Sequence, residues 1–165
     1  DRIWTIRADG TGRTLRHARQ MDMEIAGHEF FSADGRTIWY DLQTPKSEVF
    51  WLAGVDLATG DRTRYRVARR HWSVHFNVSA DGSLFAGDGG GPASVAAPGN
   101  GQWIYLFTPG PSGLVARPLV DLSKHDYTVE PNVTFTPDRR WVVFQSNMHG
   151  PTHVYAVDLA SRRAP

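Results

Sequence analysis

Residues 27–43, GHEFFSADGRTIWYDLQ, decide how the chain is read. They describe a short strand, a tight Ala-Asp-Gly turn, a second strand rich in β-branched and aromatic residues, and a polar exit. Two further stretches repeat the plan: HFNVSADGSLFAGD from His75 and NVTFTPDRRWVVFQ from Asn132. Superposed on Asp34, Asp81 and Asp138, the residue three places earlier is Phe31, Val78 or Phe135, and four places later it is Ile38, Phe85 or Val142. One hairpin is therefore used three times. Six residues before each turn Asp stand His28, His75 and Asn132, so two imidazoles and a carboxamide share one structural address.

Between the inner hairpins lie outer ones: RIWTIRADGTGR at the start, then FWLAGVDLATGDRTRYRV, QWIYLFTPGPSGLVARPLV and HVYAVDLASRR. Inner and outer pairs alternate, and the turn Asp residues stand 47 and 57 positions apart. That period suits the four-stranded antiparallel blade of a β-propeller. The expected fold is all-β, with about three and a half blades of a ring that needs roughly four to eight to close. The divisions expected are outer strands at 1–26 and blades at 27–70, 71–123 and 124–165, with the remaining blades supplied by sequence ahead of Asp1.

Composition agrees with an all-β chain. The 165 residues hold sixteen glycines, ten prolines and nineteen aromatics, with 41% hydrophobic and 21% charged residues, enough to bury a core. No apolar run approaches the ~20 residues of a membrane span. Eighteen basic and seventeen acidic side chains are interspersed, which gives no support to nucleic-acid binding, and the absence of cysteine excludes disulfides and thiolate metal sites. Compartment is not read from these numbers. The Gly89–Gly91 run is no phosphate loop, since no Lys-Ser/Thr and no helix follow it, and there is no G-x-S-x-G nucleophile elbow.

In a meandering blade the first strand begins at the rim where the second strand ends. Arg2, His28, His75, Tyr127, Glu130, Asn132 and His149 are expected to gather on that face, with Asp88 at the head of a glycine-rich rim loop. Glu130 and Asn132, two apart on one strand, face one side and together with His75 offer oxygen and nitrogen donors to a divalent cation.

The motifs GHEF, DGSLFAGDGG and FTPD in combination resemble the oligogalacturonate lyase family, seven-bladed propellers related to TolB-type repeats. The resemblance runs over nearly the whole chain. It implies a β-elimination on short pectin fragments: a base takes the proton at C5 of a uronate, and a cation and an Arg hold the carboxylate. On that resemblance His28 matches the base, Arg2 the carboxylate clamp and His75 a manganese-binding histidine. The family's other ligand places, a Gln and two His, hold Tyr127, Glu130 and Asn132 here. The expected cofactor is a divalent metal, manganese by resemblance, held by His75, Glu130 and Asn132. Tyr127, His149 and Asp88 are the expected substrate contacts, and the expected partner is an acidic oligosaccharide, with no nucleic acid and no membrane. The alternatives are a non-catalytic TolB-like propeller that binds a protein or glycan, and the propeller of a serine peptidase.

Overall fold

The computed structural model describes residues 2–94 and 101–160. Positions 95–100 of the expected rim loop and 161–163 of the last outer strand lie outside the described residues. Among the described residues, thirteen strands and a single turn of 3-10 helix, Arg69–His71, make up the regular structure. The first sheet pairs β1 (Ile3–Thr5) with β2 (Thr14–His17). The second is an antiparallel meander of β3 (Ile25–Phe31), β4 (Thr37–Gln43), β5 (Phe50–Asp56) and β6 (Arg62–Val67). The third repeats that order with β7 (Phe76–Val78), β8 (Phe85–Gly87), β9 (Trp103–Gly110) and β10 (Gly113–Asp121). The fourth contains β11 (Thr134–Phe135), β12 (Trp141–Ser146) and β13 (His153–Asp158). This is an all-β propeller segment. Among the described residues no helix is long and apolar enough to cross a membrane.

The repeated turn is built the same way three times. Ser32, Ser79 and Thr136 donate from the side-chain hydroxyl to Asp34, Asp81 and Asp138 at 2.6, 2.7 and 2.5 Å. Each carboxylate also accepts the backbone N–H two residues on, from Arg36, Ser83 and Arg140. These are Asx-type turns, which close a hairpin by replacing a missing backbone acceptor with a side-chain one. In all three the hydroxyl bond is the largest cause holding the carboxyl below its ordinary range, and Asp81 is brought down to about 2. The residue after each Asp is left-handed. Gly35 and Gly82 take φ of 69° and 72° without a Cβ penalty, whereas Arg139 takes 63° with one.

Hydrophobic clusters lie between successive sheets, so the central strands β4, β5, β8 and β9 are buried on both faces, while outer strands such as β6 and β13 are largely exposed. Ile3 of the first sheet packs on Ile38, Tyr40, Leu42 and Val55 of the second. Phe50, Leu52 and Val67 pack on Phe76, Phe85, Tyr105 and Phe107 of the third, with Trp72 from the connecting segment. Ala86, Ile104 and Leu106 pack on Val133, Val142 and Phe144 of the fourth. At the second interface the Trp39 ring lies so close over Gly54 that a Cβ there would stand 2.7 Å from it, which only glycine permits.

Polar groups join the first two sheets. Arg16 donates to Leu57 O at 3.1 Å. Arg62 and the Tyr40 hydroxyl both meet His17 Nδ1, at 3.1 and 3.0 Å. Because a guanidinium only donates, Nδ1 is the acceptor and Nε2–H donates to the buried Glu24 at 2.6 Å.

Candidate functional site

The shared address six residues before each turn Asp is observed where two sheets meet. His28 lies inside β3, three residues after its start, within a bulge that interrupts pairing between Gly27 and Phe30. It adopts φ of 50°, and Asn132 at the same address adopts 51°. Left-handed backbone is uncommon for residues with a Cβ and is most often taken by Asn, Asp and His. The bulge sets His28 against β4, where its Nδ1 donates to Asp41 Oδ1 at 2.9 Å. Glu29, next in the chain, lines a different concavity between β1 and β3.

His75 repeats the arrangement in the third sheet. Its Nδ1 donates to Asp88 Oδ2 at 2.8 Å and its backbone N–H to Oδ1 of the same carboxylate at 2.8 Å. Asp88 also accepts the backbone N–H of Asn132 from the fourth sheet at 3.2 Å. Asp41 and Asp88 both stand seven residues after their turn Asp, and Gln145 occupies that place in the third copy. There Gln145 Nε2 and Asn132 Nδ2 both donate to Glu130 O, at 2.8 and 3.1 Å. The unit carries an Asp–imidazole pair twice and an amide pair once.

The two imidazoles meet edge to face, with ring centroids 4.8 Å apart. Since each Nδ1 is held by a carboxylate, each Nε2 is left to face a ligand. His28 is 46% exposed and His75 18%, while Asp41 and Asp88 are 3% and 0% exposed. The Asp41 bond raises the pKa of His28 against the opposing effect of burial. For His75 burial is the largest influence and opposes the charge, but the bond and charge of Asp88 overcome it, so its pKa is raised too.

Glu130 is exposed and brings Oε2 to 3.8 Å from His75 Nε2. One nitrogen and one oxygen donor thus face each other, and the Asn132 side chain starts beside them, its amide nitrogen turned to the backbone. Among the described residues no three His, Cys, Asp or Glu side chains gather as a metal-holding group. The donors suit a hard divalent cation held openly by two side chains, with other positions left to solvent or ligand, and they do not form a closed protein cage.

The remaining expected site residues are dispersed. Asp88 is buried, lines the cavity next to His75, and anchors His75 and Asn132 by accepting from both. Tyr127 lies in the cavity next to His75, where its hydroxyl donates to Asp88 O at 3.2 Å and burial raises its pKa. Arg2 is exposed and lines the concavity of Glu29 and Phe30; among the described residues no hydrogen bond or ion pair ties its guanidinium to the imidazoles. His149 packs edge-on against Tyr155 at 6.0 Å. Asp41 was missed in the sequence reading, although its signal is plain: the seventh residue after the turn is acidic in two copies and crosses the hairpin to the shared address.

No protein-family model matches the chain. An oligogalacturonide lyase of Pectobacterium atrosepticum is 27% identical over 167 aligned residues, covering 93% of this chain and 42% of that protein. A solved oligogalacturonate lyase in complex with manganese superposes with a TM-score of 0.76 at 24% identity, covering 94% of this chain and 40% of the other. An oligogalacturonate lyase from Vibrio parahaemolyticus gives 0.74 at 22% identity, with 94% and 41% covered. TolB from Acinetobacter baumannii gives 0.68 at 16% identity, with 94% and 34% covered. The chain spans about two-fifths of the length of the lyases it matches. In sequence and in fold, then, it resembles the oligogalacturonate lyase family along a β-propeller stretch of those proteins.

Proposed function

We propose that this segment carries the general base of a lyase that cleaves uronate-containing oligosaccharides, pectin-derived oligogalacturonides among them, by β-elimination. The observation that supports it most is the pair of Asp–imidazole units on neighbouring sheets, their rings 4.8 Å apart and one of them accessible. His28 Nε2 is the base: its Nδ1 proton is committed to Asp41, so the other nitrogen keeps a lone pair aimed outward. It takes the C5 proton of the uronate, the C–H electrons form the C4–C5 double bond, and the C4–O4 bond breaks as the oxygen leaves with the next sugar. Asp41 stabilises the imidazolium that forms and fixes the tautomer.

Three carboxylates, Asp41, Asp88 and Glu130, stand around the two imidazoles. An acidic sugar entering them needs positive charge to offset its own. A divalent cation would be held by His75 Nε2 and Glu130, with the Asn132 carboxamide beside them, and when bound would neutralise the substrate carboxylate as charge develops on it. Arg2, expected as the clamp on the same carboxylate, lines the neighbouring concavity with Glu29 and not the imidazole site, so the charge that offsets the substrate is assigned to the cation alone.

The test is ultraviolet absorbance of the unsaturated product when the full-length protein is incubated with oligogalacturonides, beside His28→Ala. Product from the parent protein and none from the variant supports the assignment. No product with manganese, calcium or no added metal would sink it and leave the non-catalytic reading, for which the TolB-like fold is the supporting observation.

A further inference from the structure

Across the second sheet from the imidazoles lies a cavity that the proposed base does not use. Side chains alternate along β4, so Asp41, which holds His28, points to one face and its neighbours Tyr40 and Leu42 to the other. Tyr40 and Leu42 turn toward the first sheet, where with Ala53 they line a space of about 550 Å³. Small-ligand pockets occupy roughly 300–1,000 Å³. On β6, Arg64 is in register with Ala53 and Tyr40, and Arg62 stands two residues earlier on the same face. The opposite wall is the end of β2 and the segment that follows it, with His17, Met21 and Glu24.

The charges around this space do not balance. Glu24 is the one carboxylate that lines it among the described residues, and it is 1% exposed, taking His17 Nε2–H at 2.6 Å and Gln20 N–H at 3.2 Å. Arg62, on the far side of the imidazole, offsets that charge but meets only neutral acceptors, His17 Nδ1 at 3.1 Å and Arg16 O at 2.9 Å. Arg64 is left over. Its guanidinium lies 4.8 Å over the Trp51 ring, and among the described residues it makes no hydrogen bond or ion pair. An anion is a better acceptor for both guanidinium groups, since charge-assisted hydrogen bonds are roughly twice as strong as neutral ones. Leu42, Ala53 and Met21 give apolar surface for the C–H face of a pyranose. Thr44 Oγ1 accepts from Trp51 Nε1 at 2.8 Å, which leaves its own O–H to donate to a sugar hydroxyl. We infer that this cavity binds the anionic group of a sugar unit, a uronate carboxylate or a sugar phosphate, on Arg62 and Arg64, at a site separate from the imidazole pair. That the ligand is a sugar rests on the proposed lyase function; that it is an anion rests on the arginines.

The experiment measures binding and not turnover. Full-length protein with no metal added is titrated calorimetrically with galacturonate, galactose 6-phosphate and galactose. One or both anionic sugars should bind about tenfold or more tightly than galactose, and the tighter of the two identifies the source. Arg64→Ala, at an exposed position, should weaken that binding by about tenfold, and Arg64→Glu, which reverses the charge, by about a hundredfold or more. His28→Ala, on the other side of the sheet, should leave it within about twofold. Galactose that binds as well as the anions, no binding by any of the three, or affinities that neither Arg64 variant changes overturn the inference. Binding that falls as far with His28→Ala as with Arg64→Ala belongs to the imidazole site and overturns it too. Product formation is scored separately: a cleaving protein without this binding loses the inference alone, and a non-cleaving protein that binds as expected loses the elimination reading alone.

Discussion

Asp41→Asn tests the proposed base through a residue that never touches substrate. Asp41 is 3% exposed and accepts from His28 Nδ1 at 2.9 Å, and its other oxygen lies 3.5 Å from Gln43 Nε2. Asparagine keeps the volume and one oxygen, so the imidazole still has an acceptor. What is lost is the negative charge opposite the imidazolium that forms when C5 is deprotonated. A hydrogen bond to a charged group contributes about 1.5–3 kcal/mol against about 1 for a neutral one, so the difference is about 0.5–2 kcal/mol. That corresponds to a fall in kcat of roughly 2- to 30-fold when the amide oxygen faces Nδ1. If the amide turns its NH₂ toward Nδ1 instead, the proton is driven to Nε2, the base is blocked, and the loss is larger. The full-length variant is assayed by unsaturated-product absorbance, with its thermal midpoint measured in parallel. The expected result is a lowered kcat, a KM within about twofold of the parent because Asp41 makes no ground-state contact, and a folded protein. A kcat equal to the parent's in a folded variant would refute the role given to His28.

At the third turn, Arg139→Ala keeps a Cβ at φ of 63° while losing the ion pair to Asp81 and the bond to Ser83. Arg139→Gly loses the same contacts but relieves the strain, so glycine should be more stable than alanine by about 1 kcal/mol in urea denaturation; equal midpoints would show that the turn is not strained. The depressed carboxyl of Asp81 gives a pH prediction. Its folded pKa, about 2, lies below its unfolded value, so its contribution is fully present above the ordinary carboxylate range and is lost as pH falls through about 2. Asp81→Asn should therefore flatten part of the stability loss below the ordinary carboxylate pKa and leave the slope near neutrality unchanged; an unaltered acid limb counts against it. In the core, Phe107→Ala should cost about 3–5 kcal/mol, because the ring is fully buried among Phe76, Phe85 and Tyr105. A loss below about 1 kcal/mol would mean that the sheets do not pack as described.

Much of the fold could be read from the chain because the repeating unit is local. A hydroxyl, an Asp two residues later and alternating apolar residues on both sides define a hairpin wherever they recur, and they recur at Asp34, Asp81 and Asp138. The meeting of His28 with His75 was legible for the same reason, since equal addresses in adjoining sheets must converge. Arg2 failed because that argument used strand direction alone. The bulge at His28–Glu29 turns the two side chains to different sides, and Arg2 shares a concavity with the glutamate and not with the imidazole. A bulge at a non-glycine left-handed residue leaves no clear mark in sequence. The His17–Glu24 pair, closed by Tyr40 and Arg62, was illegible because His17 comes from the first sheet, Tyr40 and Arg62 from the second, and Glu24 from the segment between them.

The spacing of the imidazoles is a property of the core beneath them. Among the described residues no hydrogen bond links the second sheet's dyad to the third's; their relation rests on ring contact and on the cluster in which Phe50 packs against Phe76 and Trp72. Phe76 follows His75 directly, and Trp39, inside the hairpin of His28, meets Phe85 of the third sheet edge to face at 4.9 Å. Between the third and fourth sheets a polar link is added to the apolar cluster: Asp88 takes two donors from His75 and one N–H from Asn132, two residues from Glu130. The base and the proposed cation-holding side chains are thus positioned by different forces. Weakening the aromatic cluster moves His28 relative to His75 but leaves the His75–Glu130 pair intact, whereas neutralising Asp88 loosens His75, Asn132 and Glu130 and leaves His28 on Asp41. On the proposed function, such variants separate loss of proton abstraction from loss of carboxylate binding, because an aromatic contact holds one side of His75 and a buried carboxylate the other.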